Sequence, residues 1–368
     1  MKIDGKHYRS VWVGEDGWSV HILDQTKLPH AVEILRLTTP EEVGHAIKSM
    51  QTRGAPLIGA CGAYGLCLAL RADPSDASLA RAYDMLIKTR PTAVNLRWAL
   101  DAVRGAVAPL APAARAGAAY AKAQAICDED VAICAAIGRN GLALFRDIAA
   151  RKAGKTLNVL THCNAGWLAT VDWGTALAPI FMAHDAGMDV HVWVDETRPR
   201  NQGAGLTAWE LMRHGVKCTV VADNAGGHLM QRGQVDLCIV GTDRTTASGD
   251  VCNKIGTYLK ALAARDNDVP FYVALPGPTI DWTVRDGLAE IPIEERSARE
   301  VTHIAGRAED GSVRTVEVTP PGAKAANPAF DVTPARLVTA LITERGVAPA
   351  SEDGLLSLYP EQRARAAE

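Results

Sequence analysis

Four short apolar runs after residue 155 each end in residues able to do chemistry. Residues 157–160 lead into Thr161-His162-Cys163-Asn164, and 190–194 into Asp195-Glu196-Thr197-Arg198. Residues 218–221 lead towards Asp223-Asn224, and 237–240 into Gly241-Thr242-Asp243-Arg244. A thiolate is a nucleophile and a proton carrier, and a carboxylate in a partly apolar site holds its proton and can act as an acid. Cys163 precedes Asn-Ala-Gly, a turn expected to lead into a helix whose N-terminal dipole would favour the thiolate. On its own it is either that reactive thiol or a buried structural cysteine. Asp243 is either an acid or the ion-pair partner of Arg244. His162 adjoins Cys163, but adjacent strand residues point to opposite faces. No Cys–His dyad is therefore expected, and His162 reads as support.

Anion binding needs cations and oriented N–H donors. Arg53 opens a Gly-rich turn, Gly54-Ala55-Pro56, into a helix. Residues 249–254 read as a polar loop entering a helix near Asn253, where backbone amides and the helix dipole suit an anion. Lys254 adds a point charge there. Arg97, Arg198 and Arg200 are further cations, each of which could equally serve a surface or structural ion pair.

These groups need elements to hold them. Apolar runs alternating with helical patterns after residue 155 argue for a parallel sheet with helices on both faces. In such sheets ligands bind at the carboxyl ends of the strands, where the reactive residues collect here. The first third differs. Residues 7–13 and 18–23 alternate around Gly14-Glu-Asp-Gly17 as a hairpin. Thr39-Pro40-Glu41-Glu42 is a helix start with a capping box. Helical patterns follow over 40–51, 56–71, 77–88 and 95–107, and an alanine-rich helix over 112–152 bridges two domains. The expected fold class is α/β: a mixed α+β domain over 1–125, then a Rossmann-like domain over 126–368 entered by that long helix.

Composition narrows the function. The chain has 368 residues, 48% hydrophobic and 22% charged, with net charge −3. No strong field of one sign invites nucleic acid or a membrane surface. The uncharged stretch 54–70 is too short to span a bilayer of about 20 helical residues and holds four glycines and Pro56, so it reads as a buried helix. The N-terminus lacks the apolar core of a signal peptide. Eight cysteines, none in a CxxC pair, suit buried thiols in a reducing cytoplasm. No His/Asp/Glu set has metal-ligand spacing, so neither metal nor cofactor is expected. No GxGxxG follows the first parallel strand, which argues against a nicotinamide dehydrogenase.

An ordered set of motifs adds a resemblance. Arg53-Gly-Ala-Pro-Leu-Ile-Gly59, Asn95-Leu-Arg97-Trp98, Thr161-His-Cys163-Asn-Ala-Gly166, Asp195-Glu-Thr-Arg-Pro199 and Gln202-Gly203 come first. Leu206-Thr-Ala-Trp-Glu210, Asp223-Asn224, Gly241-Thr-Asp243-Arg244, Gly249-Asp-Val-Cys-Asn253-Lys254-Ile-Gly-Thr257 and Asn327-Pro-Ala-Phe-Asp-Val-Thr-Pro334 follow, with Ile342-Thr-Glu-Arg-Gly346. Together they resemble the methylthioribose-1-phosphate isomerases, which share a fold with the initiation factor 2B subunits, over nearly the whole chain. The resemblance implies a metal-independent cytoplasmic homodimer of the methionine salvage pathway. It would convert 5-methylthioribose 1-phosphate to 5-methylthioribulose 1-phosphate. By resemblance Cys163 and Asp243 are catalytic, and Arg53, Gly54, Ala55, Arg97, Gln202, Asn253 and Lys254 hold the substrate.

Such a substrate carries phosphate on its anomeric carbon, so its ring cannot open freely. An acid must help the ring oxygen leave, and hydrogen must move from C2 to C1. Either Cys163 carries it as a proton through an enediolate-like species, or it shifts directly as hydride; the sequence leaves both open. Runner-up substrates are 5-deoxyribose 1-phosphate and ribose 1,5-bisphosphate, the latter needing a second cationic cluster at Arg198 and Arg200. A non-catalytic regulatory subunit would not need Cys163 and Asp243. The chain departs from the family at Asn201, a position expected to be apolar and to face the 5-substituent, and residues 308–325 read as a variable loop.

Overall fold

The computed structural model describes residues 2–363, except 4, 91, 92, 153 and 154. Strands β1 (Lys2–Ile3) and β2 (Lys6–His7) pair with each other. Strands β3 (Val11–Val13), β4 (Val20–Leu23) and β5 (Ile34–Leu37) form a three-stranded antiparallel sheet. The expected hairpin exists: Gly14 N–H donates to the Ser19 carbonyl at 2.7 Å. Its first strand is shorter than the alternation suggests, because His7 belongs to β2.

Helix α1 (Pro40–Lys48) carries the capping box foreseen for it. Thr39 Oγ1 accepts the Glu42 N–H at 3.2 Å, and the Glu42 carboxylate accepts the Thr39 N–H at 3.1 Å. Helices α2 (Ala55–Ala72), α3 (Asp76–Ile87) and α4 (Val94–Val107) follow close to their expected bounds. Among the described residues, α2 alone is long and apolar enough to cross a membrane, yet 83% of it is buried inside the fold. It forms the centre of the first core, with α4 and α5 (Pro112–Ala150) against it. At 39 residues α5 spans about 58 Å. Its Ala119, Ala123 and Ile126 enter that first core, while Ile137 and Phe145 enter the second. One rigid rod thus joins the two packed regions.

In the second region β6 (Leu157–Thr161) leads through a 3₁₀ turn at Trp167–Ala169 to α6 (Leu177–Asp185). Next come β7 (Val190–Asp195), a π turn at Gly203–Thr207, α7 (Ala208–His214), β8 (Lys217–Val221), α8 (Ala225–Gln231) and β9 (Leu237–Val240). The chain goes on through β10 (Arg244–Thr246), β11 (Val251–Lys254), α9 (Thr257–Asp266), β12 (Phe271–Ala274) and β13 (Ile280–Asp281). It closes with α10 (Gly287–Glu290), α11 (Arg299–Thr302), β14 (His303–Arg307), β15 (Val313–Glu317), β16 (Phe330–Thr333), β17 (Ala340–Thr343), β18 (Gly346–Ala348) and α12 (Glu352–Leu358).

The main sheet has the order β18-β17-β12-β9-β6-β7-β8, parallel except for β18. Its central strands β9 and β12 are apolar and buried throughout, as strands covered on both faces must be. From β6 the chain builds outwards through β7 and β8 on one side, then returns to add β9, β12 and β17 on the other. The β6–β9 boundary is therefore the topological switch point, where open parallel sheets bind ligands.

Two expectations need correction. Residues 249–254 are not a loop running into a helix. Val251–Lys254 is β11 in a second sheet of order β13-β10-β11-β16, and α9 starts only at Thr257. Pairing of Asn253 with Asp331, some eighty residues downstream, outweighs the local polarity. The supposed loop 308–325 includes β15, which pairs along its length with β14.

Asp130 on α5 links the two regions. Its buried carboxylate accepts the Val171 N–H at 2.7 Å, and burial pushes its pKa up to about 7. The folded state thus binds this proton more tightly than the unfolded chain. The stabilisation is full below the ordinary carboxylate range and is lost as pH rises through about 7. Asp130→Asn keeps an acceptor for Val171 but cannot titrate. Its thermal midpoint should fall less than the wild type's as pH is raised across this window, and identical slopes would show that Asp130 has an ordinary pKa.

Candidate active site

Cys163 and Asp243 leave the carboxyl ends of β6 and β9, the two strands at the switch point. Both line one narrow cavity of about 60 Å³, which Arg53, Gln202, Asn253 and Lys254 also line. Cys163 sits in the left-handed region at φ 67°, a conformation that non-glycine residues adopt only under constraint. Two hydrogen bonds supply it: the Cys163 N–H donates to Thr197 Oγ1 at 2.8 Å, and its carbonyl accepts from Thr207 Oγ1 at 2.7 Å. The thiol then lies 3.6 Å from Gln202 Oε1. Asp243 is held through its backbone, whose N–H donates to the Cys252 carbonyl on β11. Among the described residues no hydrogen bond engages its carboxylate. The bland pairing with Arg244 does not form, since Arg244 faces Asp281 at 3.5 Å.

The α2 N-terminus supplies the anion cradle. Gly54 and Ala55 line the cavity, and no side chain caps the first turn. Gly54 has φ 100°, and a Cβ there would stand 2.4 Å from the Ala169 carbonyl oxygen, so only glycine lets this turn close on the 167–169 segment. The amides and dipole of this first turn suit a phosphate. The α9 N-terminus does not serve in this way, because Asp331 already accepts from Gly256 N–H at 2.7 Å and Tyr258 N–H at 3.1 Å.

Electrostatics follow from burial. Desolvation raises the Cys163 thiol above its ordinary pKa, and Lys254 and Arg53 offset this only in part. Burial likewise raises Asp243, against the pull of Lys254, Arg90 and Arg53. The expected helix start after Cys163 is a 3₁₀ turn beginning at Trp167, so no helix dipole lowers the thiol. Burial pushes Lys254 down, and its ammonium donates to the Ala329 carbonyl at 2.9 Å while lying over the Phe330 ring. The site thus sets two groups whose neutral forms burial favours against several cations. That suits acid catalysis on an anionic substrate.

His162 behaves as support. Its Nδ1 lies 2.9 Å from Asp195 Oδ2 and its Nε2 2.8 Å from the Ile255 carbonyl, so neither nitrogen reaches Cys163. Ligand atoms of His162, Asp195 and Asp223 lie within 4.8 Å of one another, close enough to hold a metal. Lys260 already supplies a cation there, 3.3 Å from Asp195 and bonded to the Asp223 carbonyl. The Asp223 carboxylate accepts the Thr197 and Arg198 amides.

Arg97 stands apart from these residues. It is an exposed residue of α4 outside the cavity. The third cation that lines the cavity, with Arg53 and Lys254, is Arg90, seven residues earlier and just before α4. Its Nη1 contacts Met50 Sδ at 3.1 Å, its Nη2 lies 3.6 Å from Glu294, and its buried Nε has no partner among the described residues. The signal available was position: an arginine before Pro91 sits in a connection, where binding residues concentrate, rather than on a helix face. Arg198 donates to the Pro199 and Val301 carbonyls and Arg200 to Glu300, so both are structural. Asn201, at φ 52°, lines a wider groove that adjoins the cavity at Met50, Arg53 and Gln202.

Comparison with known proteins bears on this geometry. Residues 51–350 match the initiation factor 2 subunit family. The methylthioribose-1-phosphate isomerase of Acidiphilium cryptum is 67% identical over 364 residues, 98% of each chain. That of Methylobacterium nodulans is 67% identical over 363 residues, 99% of each chain. Among solved structures, 5-methylthioribose 1-phosphate isomerase from Pyrococcus horikoshii superposes with TM-score 0.83 at 38% identity, covering 97% of both chains. A chain described as translation initiation factor eIF-2B, subunit delta, from A. fulgidus gives 0.80 at 38% identity, covering 96% of this chain and 100% of that one.

The two arginines can be told apart directly. Arg90→Gln should raise KM for a phosphorylated substrate about tenfold or more while changing saturated turnover little, as expected for a contact made equally in ground and transition states. Arg97→Gln should leave KM within about twofold, being solvent-exposed. The reverse pattern would return Arg97 to the site.

Proposed function

The chain belongs to the initiation factor 2 subunit family, and from that premise we propose that it is an aldose–ketose isomerase converting 5-methylthioribose 1-phosphate to 5-methylthioribulose 1-phosphate in methionine salvage. Two relatives at 67% identity over nearly their full length carry the name methylthioribose-1-phosphate isomerase. The observation that carries the reading is local: Cys163 and Asp243, from adjacent strands, share one cavity with Arg53, Arg90 and Lys254. A regulatory subunit would have no use for that combination.

The chemistry balances on the chain's own groups. The phosphate takes Arg53, Arg90, Lys254 and the amides at Gly54 and Ala55, with Gln202 and Asn253 on the sugar. Asp243 gives its proton to the ring oxygen as the C1–O bond breaks, leaving positive charge at C1. The hydrogen on C2 moves to C1 with its electron pair, C2 becomes the carbonyl carbon, and the proton of its hydroxyl returns to Asp243. The alternative needs a Cys163 thiolate to take the C2 hydrogen as a proton. A thiol whose burial holds its own proton disfavours that start. In the hydride route Cys163 lies beside the migrating hydrogen and keeps water from it.

The runner-up bisphosphate substrate lacks support, since Arg198 and Arg200 are already bonded to carbonyls and to Glu300. The family reading also makes the working form a cytoplasmic homodimer, with its smaller domain ending in the first half of α5.

Purified protein should turn over 5-methylthioribose 1-phosphate, and failure of well-folded protein to do so overturns the reading. Asp243→Asn should lose roughly 10²–10⁴ in kcat, the usual worth of a positioned acid, with its thermal midpoint retained. Near-normal kcat would remove Asp243 from the mechanism. Substrate deuterated at C2 should deliver its label to C1 of the product, whereas washout into water would favour the thiolate route.

A further inference from the structure

Behind Arg53 lies a buried carboxylate that the reaction does not use. Glu210, in the first turn of α7, is fully buried. Its Oε1 accepts Asn164 Nδ2 at 2.8 Å and the Leu168 N–H at 3.2 Å, and its Oε2 accepts the Trp167 N–H at 2.9 Å. All three partners are donors. Gly166 makes the approach feasible, since a Cβ there would stand 2.0 Å from Glu210 Oε2.

These bonds decide which way Asn164 faces. Its amide nitrogen also donates to Thr207 Oγ1 at 3.1 Å, so its Oδ1 must turn towards Arg53. There it accepts from Arg53 Nη2, while the Asn164 carbonyl accepts from Nη1 at 3.0 Å and Gln25 Oε1 from Nε at 3.0 Å. A buried anion thus stands behind a buried cation, joined by one amide dipole. Burial pushes the Glu210 pKa up to about 7, while hydrogen bonds from Asn164, Leu168 and Trp167 and the charge of Arg53 pull it down. The same segment carries the strained Cys163, whose carbonyl is bonded to Thr207.

We infer that Glu210 is a positioning residue: acting through Asn164, it aims and electrically balances the Arg53 guanidinium that receives the substrate's phosphate. This rests on the reading of Arg53 as a substrate contact. A carboxylate that merely stabilised the fold would affect melting but not the affinity for a phosphorylated sugar.

The test is steady-state kinetics with 5-methylthioribose 1-phosphate on four variants, with melting curves alongside. Arg53→Gln sets the scale by raising KM. Glu210→Gln should raise KM at least about tenfold and change kcat by less than about threefold, the pattern of a lost ground-state contact. Asn164→Ala cuts the connection but leaves Glu210 on the Trp167 and Leu168 amides. It should raise KM similarly, and it keeps the test decisive if Glu210→Gln does not fold. The double variant Asn164→Asp/Glu210→Gln moves the negative charge one residue closer to Arg53, with the new amide donating to it, and should bring KM back to within about threefold of wild type. If Arg53→Gln raises KM but Asn164→Ala and any folded Glu210→Gln do not, or if the folded double variant shows no recovery, the positioning role is wrong. If Arg53→Gln leaves KM unchanged, the substrate contact itself fails, and the positioning role with it.

Discussion

Several cations converge on a space with little room for water, and the rest of the structure answers to that. Arg53 and Lys254 are buried, and Arg90 nearly so. Removing such charges from water is costly unless each is paired or hydrogen-bonded. The protein compensates them sparingly. Glu210 stands behind Arg53 through an amide, Glu294 lies 3.6 Å from Arg90, and Lys254 has a carbonyl and an aromatic face. The groups that face the cavity itself, Cys163 and Asp243, are pushed towards their neutral forms. The pocket is left short of negative charge, a deficit that a phosphate dianion would fill. The same dryness that draws in the substrate favours the protonated form of the acid.

The fold places these groups by combining elements distant in sequence. The switch point brings the ends of β6 and β9 together, although some eighty residues separate Cys163 from Asp243. The second sheet brings Asn253 and Lys254 in from the side, held by β16. The first region contributes the α2 N-terminus, Arg53 and Arg90, and α5 ties that region to the second core. The π turn before α7 precedes the residue that fixes Asn164. Wide turns of this kind recur at functional sites, where they shift a side chain relative to a regular helix.

Much of this was legible in the sequence wherever local physics decides. The Thr39–Glu42 capping box, the helices that follow and the four parallel strands named from their apolar runs all rest on short-range patterns. Of the polar residues after those strands, Cys163 and Asp243 line one cavity at the switch point. Legibility failed where pairing is long-range. Strands β10, β11 and β13 are two to four residues long, and β11 is specified by β16 rather than by its own composition. Strand β17 was visible only as a family motif. Helical periodicity shows that α4 exists but not which of its neighbours the cavity meets, so it pointed to Arg97 and not to Arg90, which lines the cavity. Glu210 stood inside a quoted motif, yet nothing in Leu206–Glu210 shows that its carboxylate turns inward beneath Asn164.

Acid catalysis here requires that the pocket hold Asp243 in its acid form more tightly than water would. Carboxyl-stretch infrared spectroscopy across a pH series can follow this group, its band identified by its loss in Asp243→Asn. The midpoint should lie above the ordinary 3.8 and rise further in Lys254→Met, because Lys254 exerts the strongest downward pull. A midpoint at or below the ordinary value, unmoved by loss of Lys254, would contradict it.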